Sequence, residues 1–474
     1  MSVARRIAKN TFSLTVGELV SKALLFFLTV LIARYLGSAG LGNYSFAISF
    51  TVLFYMLADM GLNKLALRDL PRDKTKLGQY FYNILTIKFF LSIITFVAIV
   101  LSINLTNQPY EIKLIVYLAG IYMIISESIA TLFRNVFVSF EQVEYEALVT
   151  IIEKILIFAL GYISLIKSQS LFWLFVMFLI AGIIKAIIGF IIIIYKFKPK
   201  FSINFKAFLP LIKNAFPFSL TYLLATVYIK VDITMLTLMR NSTEVGWYTA
   251  AANLIFALVI IPAVFMRAVF PNMTRYYKTD KTAFIRSCRL SLKYLIIVGM
   301  PICIGGIITS KQLIKLIYGE GFSESTIAFQ ILLVFLFLYF IKWALNIALY
   351  AADLEKKVVW SYLVGLLVNV GLNFILIPIW SYIGAGITTI ITEMIVVTVI
   401  YHYFITRISR LVIQDYLIKP LISVAIMGFV IYFLDEAPIL LTILIGGIVY
   451  TISILFLKTL DNEDKRLIRQ VLKV

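Results

Sequence analysis

Apolar runs of about 20 residues recur along the whole chain, each separated from the next by a short polar or basic cluster, and a run of that length matches the hydrocarbon thickness of a bilayer. Fourteen of them centre on residues 16–35, 44–67, 81–103, 114–138, 148–166, 171–195, 216–239, 245–270, 290–308, 327–351, 358–377, 383–404, 417–434 and 439–457. All read as helices, because irregular backbone in lipid leaves N–H and C=O groups unpaired and because barrel strands need only about half this length. With 62% hydrophobic residues, 14% charged and a mean hydropathy of +0.99, the chain is too apolar for soluble domains. The expected fold class is all-α integral membrane with 14 transmembrane helices. The longest polar stretch leaves no room for a soluble domain.

Loop charge gives an independent test of orientation, since basic residues accumulate on the cytoplasmic side. With the N-terminus inside, the inner segments hold 27 basic residues, from Arg5, Arg6 and Lys9 through Lys196, Lys198 and Lys200 to Lys465, Arg466 and Lys473; the outer ones hold six: Arg34, Lys113, Lys167, Arg240, Lys311 and Lys315. An odd number of helices would scramble that contrast. Both termini are therefore expected in the cytoplasm, on a multi-pass protein of the cell membrane.

The net charge of +19 does not point to nucleic acid, because the basic residues are spread over loops beside apolar spans and so suit lipid headgroups. Cys288 and Cys303 have no metal-binding spacing and imply no disulfide framework. Neither metal nor cofactor is expected. The first span is too long for a signal-peptide core and lacks a small-residue cleavage site, so it is expected to remain as a helix.

The sequence also carries an internal repeat. LGSAGLGNYSFAISF follows the first span and MRNSTEVGWYTAAANLIF the seventh, so that Gly42 and Tyr44 align with Gly246 and Tyr248 at an offset of 204 residues. The same spacing brings Lys88 close to Lys293. Six spans per repeat is an even number, so equivalent elements keep their orientation and the repeat is parallel. The expected divisions are an N-lobe of spans 1–6 (1–196), a basic linker (197–213), a C-lobe of spans 7–12 (214–406), and spans 13–14 with the tail (407–474). In the linker, Phe201, Phe205, Phe208 and Ile212 fall near one face at helical spacing. It reads equally as an interfacial helix or a plain connection.

ARYLGSAGLGNYSFA, DMGLNKLALRDLPRD, VGWYTAAANLIFALVIIPAVFMRAVFPNMTRYY, YGEGFSESTIAFQIL and LVNVGLNFILIPIWSYIGAGITTIITE together resemble the polysaccharide-exporter family that includes O-antigen flippases. That family belongs to the superfamily of multidrug exporters and lipid-linked peptidoglycan-precursor flippases. The likeness covers nearly the whole chain and carries no catalytic signature. Gly37, Gly40 and Gly42 read as a tight turn, and Pro271 and Pro378 as helix ends. The resemblance implies two six-helix lobes around a central cavity that alternates between inward and outward openings. It also implies an oligosaccharide on a polyprenyl phosphate or diphosphate as cargo, a groove for the lipid tail beside spans 13 and 14, and glycosyltransferases of the same pathway as partners.

Ionisable residues within the bilayer are costly and point to a cavity. Lys88, Arg134, Arg267 and Lys293 lie near inner boundaries, where a long side chain can snorkel to water or line the cavity. Glu18, Lys22, Glu127, Lys185, Lys230, Asp232, Lys342 and Glu393 sit deeper. Glu18 and Lys22 are four apart and able to neutralise each other. Lys230 and Asp232 point about 200° apart on a helix, so Lys230 is the better phosphate candidate. The lysines and arginines are candidates for cargo binding. Glu18, Asp232, Glu127 and Glu393 are candidates for counter-ions or for coupling to a cation. Interhelical salt bridges that lock one conformer remain the alternative for the same residues. His402, between Tyr401 and Tyr403, reads as an interfacial belt residue. The sequons at Asn104, Asn241 and Asn272 lie too close to the membrane to weigh.

Three rival functions remain. A cation-coupled multidrug exporter on the same fold would favour a carboxylate-dominated cavity, whereas the central set has as many lysines as acids. A polyprenyl-dependent glycosyltransferase needs carboxylates or a metal on a sizeable water-facing loop, and only the segment with Glu320 and Glu324 pairs two acids. The chain is therefore expected not to be an enzyme. A scaffold would not need buried charge.

Overall fold

The computed structural model describes residues 3–410, 414–434, 437–460 and 464, with side chains from Gly17 onward except at 221, 222, 225, 414 and 415. Every regular element among the described residues is helical. Among the described residues ten helical segments are long and apolar enough to cross a membrane, which makes this a multi-pass membrane protein. The chain forms two compact units, residues 1–249 and 250–474.

The first unit contains α1 (Val3–Leu53), α2 (Tyr55–Asp59), α3 (Leu62–Asp69), α4 (Leu77–Asn104), α5 (Tyr110–Tyr122), α6 (Ala130–Ser139), α7 (Val143–Ser168), α8 (Leu171–Ile192), α9 (Phe208–Met239) and the start of α10 (Ser242–Leu258). α1 is two helices joined at Gly37, whose φ of 68° falls in the left-handed region that glycine enters without strain. The second apolar run is not one rod either, because the chain turns at Met60 and Gly61 (φ 45° and 78°) and restarts as α3. α5 and α6 are joined by a π-helical turn, Met123–Ile129.

Leu62, Leu65, Phe81, Ile84, Phe133 and Phe137 form the buried apolar core that ties α3, α4 and α6 together. The opposite face of α4, with Phe89, Phe90, Ile93, Ile94, Val97 and Leu101, is exposed and wholly apolar, as a lipid-facing surface requires. At the end of α3, Arg68 donates to the Asp69 carboxylate at 2.6 Å and holds its pKa below the usual carboxylate range. The Asp73 carboxylate accepts from the Thr75 hydroxyl at 2.5 Å, which likewise depresses its pKa, and also from the Thr75 amide at 3.1 Å.

The basic linker has no regular structure over residues 198–204, with Lys198 at a φ of 45°, and helix resumes at Phe205. Phe205, Phe208 and Ile212 therefore lie on helix, while Phe201 lies on the irregular segment before it. The reason is local: Asn83 Oδ1 accepts from the Asn204 amide at 2.8 Å, and the Lys200 carbonyl lies where a Cβ on Gly78 would stand, so the linker backbone is laid against α4.

The repeat has a direct structural counterpart inside this unit. A Cβ on Gly42 would lie 1.9 Å from the Ser242 carbonyl oxygen, and a Cβ on Gly246 would lie 1.9 Å from the Ser38 carbonyl oxygen. Ser38 and Ser242 are themselves related by the offset of 204. Two equivalent Ser-x-x-x-Gly segments therefore cross reciprocally, backbone on backbone, in the small-xxx-small manner of membrane helices.

The second unit holds the rest of α10, then α11 (Ile260–Thr279), α12 (Lys281–Tyr318), α13 (Ser325–Ala351), α14 (Glu355–Arg407), α15 (Gln414–Tyr432) and α16 (Ile439–Phe456). α13 packs between α12 and α14, and α15 packs on α12 and α16. α14 spans 53 residues and breaks at Ser381 (φ 55°), three residues after Pro378. Pro271, expected to end a helix, instead lies inside α11, which continues to Thr279. A proline removes one ladder bond only, and helices in a membrane tolerate that where other groups satisfy the freed carbonyl.

Candidate functional site

In the first unit the charged residues collect around the π-turn. A π-turn interrupts the regular i→i+4 ladder and so exposes carbonyls to outside donors. Two lysines from different helices supply the donors. From α4, Lys88 Nζ donates to the Ser128 carbonyl (3.1 Å) and hydroxyl (2.9 Å) and forms an ion pair with Asp59 at 2.5 Å. From α8, Lys185 Nζ donates to the Ser126 carbonyl (3.2 Å) and hydroxyl (3.0 Å) and pairs with Glu153 at 3.0 Å. Asn63 adds to the first cluster, donating to the Ser128 carbonyl and to Tyr55 Oη. Ser126 and Tyr122 donate to Glu153 in the second, where Lys154 pairs with the same carboxylate at 3.1 Å.

Lys88 is completely buried, so the snorkelling expected of it does not occur. Its carboxylate partner stands close enough to replace water. Removing one member of such a pair leaves an uncompensated buried charge, at a cost of about 3–5 kcal/mol. Lys88→Gln is therefore expected to lower the thermal unfolding midpoint of detergent-purified protein markedly, and Asp59→Asn combined with Lys88→Gln to recover part of the loss. Unchanged unfolding in the single variant would show that the pair does not hold the turn.

The other sequence candidates of this unit separate by exposure. Glu18 and Lys22 do pair, at 2.9 Å, with about half of each side chain exposed. Arg134 is 54% exposed and pairs at 2.8 Å with Glu146 of α7, as a boundary residue can. Glu127 sits half-buried on the π-turn itself. Asp232 is buried and accepts from Tyr248 Oη at 3.3 Å. Lys230, half-buried on α9, has no ion-pair partner among the described residues. Sequence reasoning missed Asp59, Glu153 and Lys154. The signal for the last two was an adjacent acid and base inside an apolar run.

In the second unit, Lys342 and Glu393 form one buried pair, at 2.7 and 2.9 Å to the two carboxylate oxygens, with side-chain exposures of 1% and 0%. The Lys342 ammonium also lies 4.7 Å from the Tyr339 ring centroid and 5.1 Å from that of Tyr362. Lys293 is buried too and does not snorkel. It pairs with the tail residue Asp464 at 2.5 Å, and Tyr294 Oη donates to the same carboxylate at 2.6 Å. Arg267 is exposed on α11. His402 lies near the end of α14, its ring 6.0 Å from that of Tyr403.

The second unit also contains an apolar cavity of about 460 Å³ between α10, α12, α13, α15 and α16. Leu254, Leu313, Ile317, Leu333, Met427 and Ile431 provide most of its wall. Gly305, Gly306, Gly446 and Gly447 open it, and a Cβ on Gly447 would meet nothing within 4 Å. Among the described residues no charged side chain lines it.

Comparison with known proteins places these features among relatives. The model of the family described as polysaccharide biosynthesis protein matches residues 7–277, and that of Lipid II flippase MurJ matches residues 147–459. A putative O-antigen transporter of Shigella flexneri is 30% identical over 118 residues, which is 25% of this chain and 27% of that protein. The capsular polysaccharide biosynthesis protein CapF of Staphylococcus aureus is 22% identical over 415 residues, 85% of this chain and 100% of that protein. Among solved structures, Lipid II flippase MurJ in an inward closed conformation superposes with a TM-score of 0.75 at 21% identity, covering 94% of this chain and 99% of that one. An inward-facing multidrug resistance MATE family transporter gives 0.64 at 14% identity, over 84% and 98%.

Proposed function

Because the chain belongs to the polysaccharide biosynthesis protein family, within the superfamily of multidrug, oligosaccharidyl-lipid and polysaccharide exporters, we propose that it translocates a polyprenyl-phosphate- or diphosphate-linked oligosaccharide across the cell membrane by alternating access. The observation that carries this reading is the groove of α12, α13, α15 and α16, which among the described residues is uncharged, suits a prenyl chain and presents no carboxylate to an organic cation. The names of the relatives, an O-antigen transporter, a capsular polysaccharide protein and a lipid II flippase, agree with such cargo.

The finer architecture belongs to the same proposal. α1 and α14, at 51 and 53 residues, would each measure close to 80 Å unbroken, far beyond a hydrocarbon core of about 30 Å. Each break therefore converts one long helix into two crossings, which supports 14 spans, and the loop-charge bias supports cytoplasmic termini. In that orientation the Ser38–Gly42 and Ser242–Gly246 crossing lies on the outer side, where it would part to release cargo. Lys230 would meet the phosphate.

Filling the groove tests the assignment. Gly447→Leu adds bulk into open space and so removes no contact that the fold uses. Reconstituted into liposomes, this variant is expected to flip a long-chain polyprenyl-linked oligosaccharide at least about fivefold more slowly than wild type, while an analogue with a short lipid is affected little. Equal slowing of both lipids would remove the groove from the transport path.

A further inference from the structure

A second cavity of the second unit, about 490 Å³, has the opposite chemistry. Thr282, Arg286, Arg289 and Lys293 line it from α12, with Ile285 and Leu290, and Ser409 and Tyr416 face them. Positions 282, 286, 289 and 293 follow the i, i+4, i+7, i+11 spacing of a single helix face. Arg286, Arg289 and Lys293 thus bring three cationic side chains to one face of the cavity. Arg289 is exposed and has no ion-pair partner among the described residues. Lys293 is met by the tail carboxylate of Asp464.

The repeat makes that tail contact informative. In the first unit the matching lysine, Lys88, is neutralised by Asp59. The offset of 204 carries Asp59 to Ala263, which has no charge, so the second repeat lacks its own acid and the tail supplies one from 171 residues away. The apolar groove begins on the same helix at Pro301, eight residues and about 12 Å along the axis from Lys293. Tyr416 and Met427 likewise place α15 along both cavities.

We propose that the Arg286–Arg289–Lys293 cavity is a binding site for the phosphate of a membrane lipid headgroup, and that Asp464 competes with that phosphate for Lys293. A bidentate guanidinium suits phosphate oxygens, and the apolar surface above it suits the attached chains. The site does not depend on what the protein transports or on which side of the membrane it faces.

Electron paramagnetic resonance of spin-labelled lipids on the purified full-length protein tests this. Spin-labelled phosphatidic acid is expected to be immobilised several-fold more than spin-labelled phosphatidylcholine. Arg289→Gln, at an exposed position that supports no packing, should reduce that preference at least about threefold, and Asp464→Asn should raise it. A preference unchanged in Arg289→Gln overturns the site, and one that falls in Asp464→Asn overturns the competition. Inorganic pyrophosphate separates the sources: failure to displace the lipid at millimolar concentration supports a headgroup site, whereas binding of pyrophosphate without any lipid preference overturns the lipid assignment.

Discussion

Gly42→Ala and Gly246→Ala are each expected to reduce transport by tenfold or more while leaving membrane levels close to wild type. Each added methyl would lie 1.9 Å from a carbonyl oxygen of the opposing helix, and no side-chain rotation relieves a clash with backbone. The helices must separate, and overpacking of this kind costs about 1–3 kcal/mol. If the chain works by the alternating access proposed above, that cost falls on the state in which the crossing is closed and shifts its population. A cysteine at Ser38 should therefore react faster with a membrane-impermeant maleimide when Gly246 is alanine. An unchanged labelling rate together with normal transport would show that the crossing does not have to close.

Lys230→Gln is expected to abolish transport without loss of protein from the membrane. The other candidate lysines already have partners: Lys88 and Lys185 donate to the π-turn, Lys22 pairs with Glu18, and Lys342 is enclosed by Glu393 and two tyrosines. Lys230 has no such partner among the described residues, and its loss leaves no carboxylate uncompensated there. It is thus the lysine whose removal should separate function from stability, in contrast to Lys88→Gln. Lys230→Arg should keep part of the activity, because it preserves the charge. Normal flipping by Lys230→Gln would place the phosphate elsewhere.

The spans were legible because a bilayer imposes a length that composition alone reveals. Breaks within them were less so. Gly37 announced a turn and Pro378 a helix end three residues before the break at Ser381, but nothing in the local sequence marks residues 123–129 as π-helical, since that depends on packing against other helices. Charge positions were legible and their pairings were not. Glu18 and Lys22 are neighbours on one helix, so spacing sufficed. Lys88 finds Asp59 at a distance of 29 residues and Lys293 finds Asp464 at 171, and only the tertiary fold brings these together. Both lysines looked able to snorkel because boundary distance was the only guide. The offset of 204 also relates the two ends of the Ser38–Gly42 and Ser242–Gly246 contact, where close backbone approach tolerates only small side chains.

The central claim is that the cargo is a lipid-linked glycan. It is tested most directly by purified protein in liposomes that carry a fluorescent polyprenyl-diphosphate oligosaccharide in one leaflet, with accessibility to an externally added glycan-modifying enzyme as the readout. The account predicts protein-dependent movement of the glycan to the opposite leaflet, lost in Lys230→Gln, and no uptake of organic cations such as ethidium. Ethidium transport driven by a sodium or proton gradient, with the glycan left in its original leaflet, would contradict it.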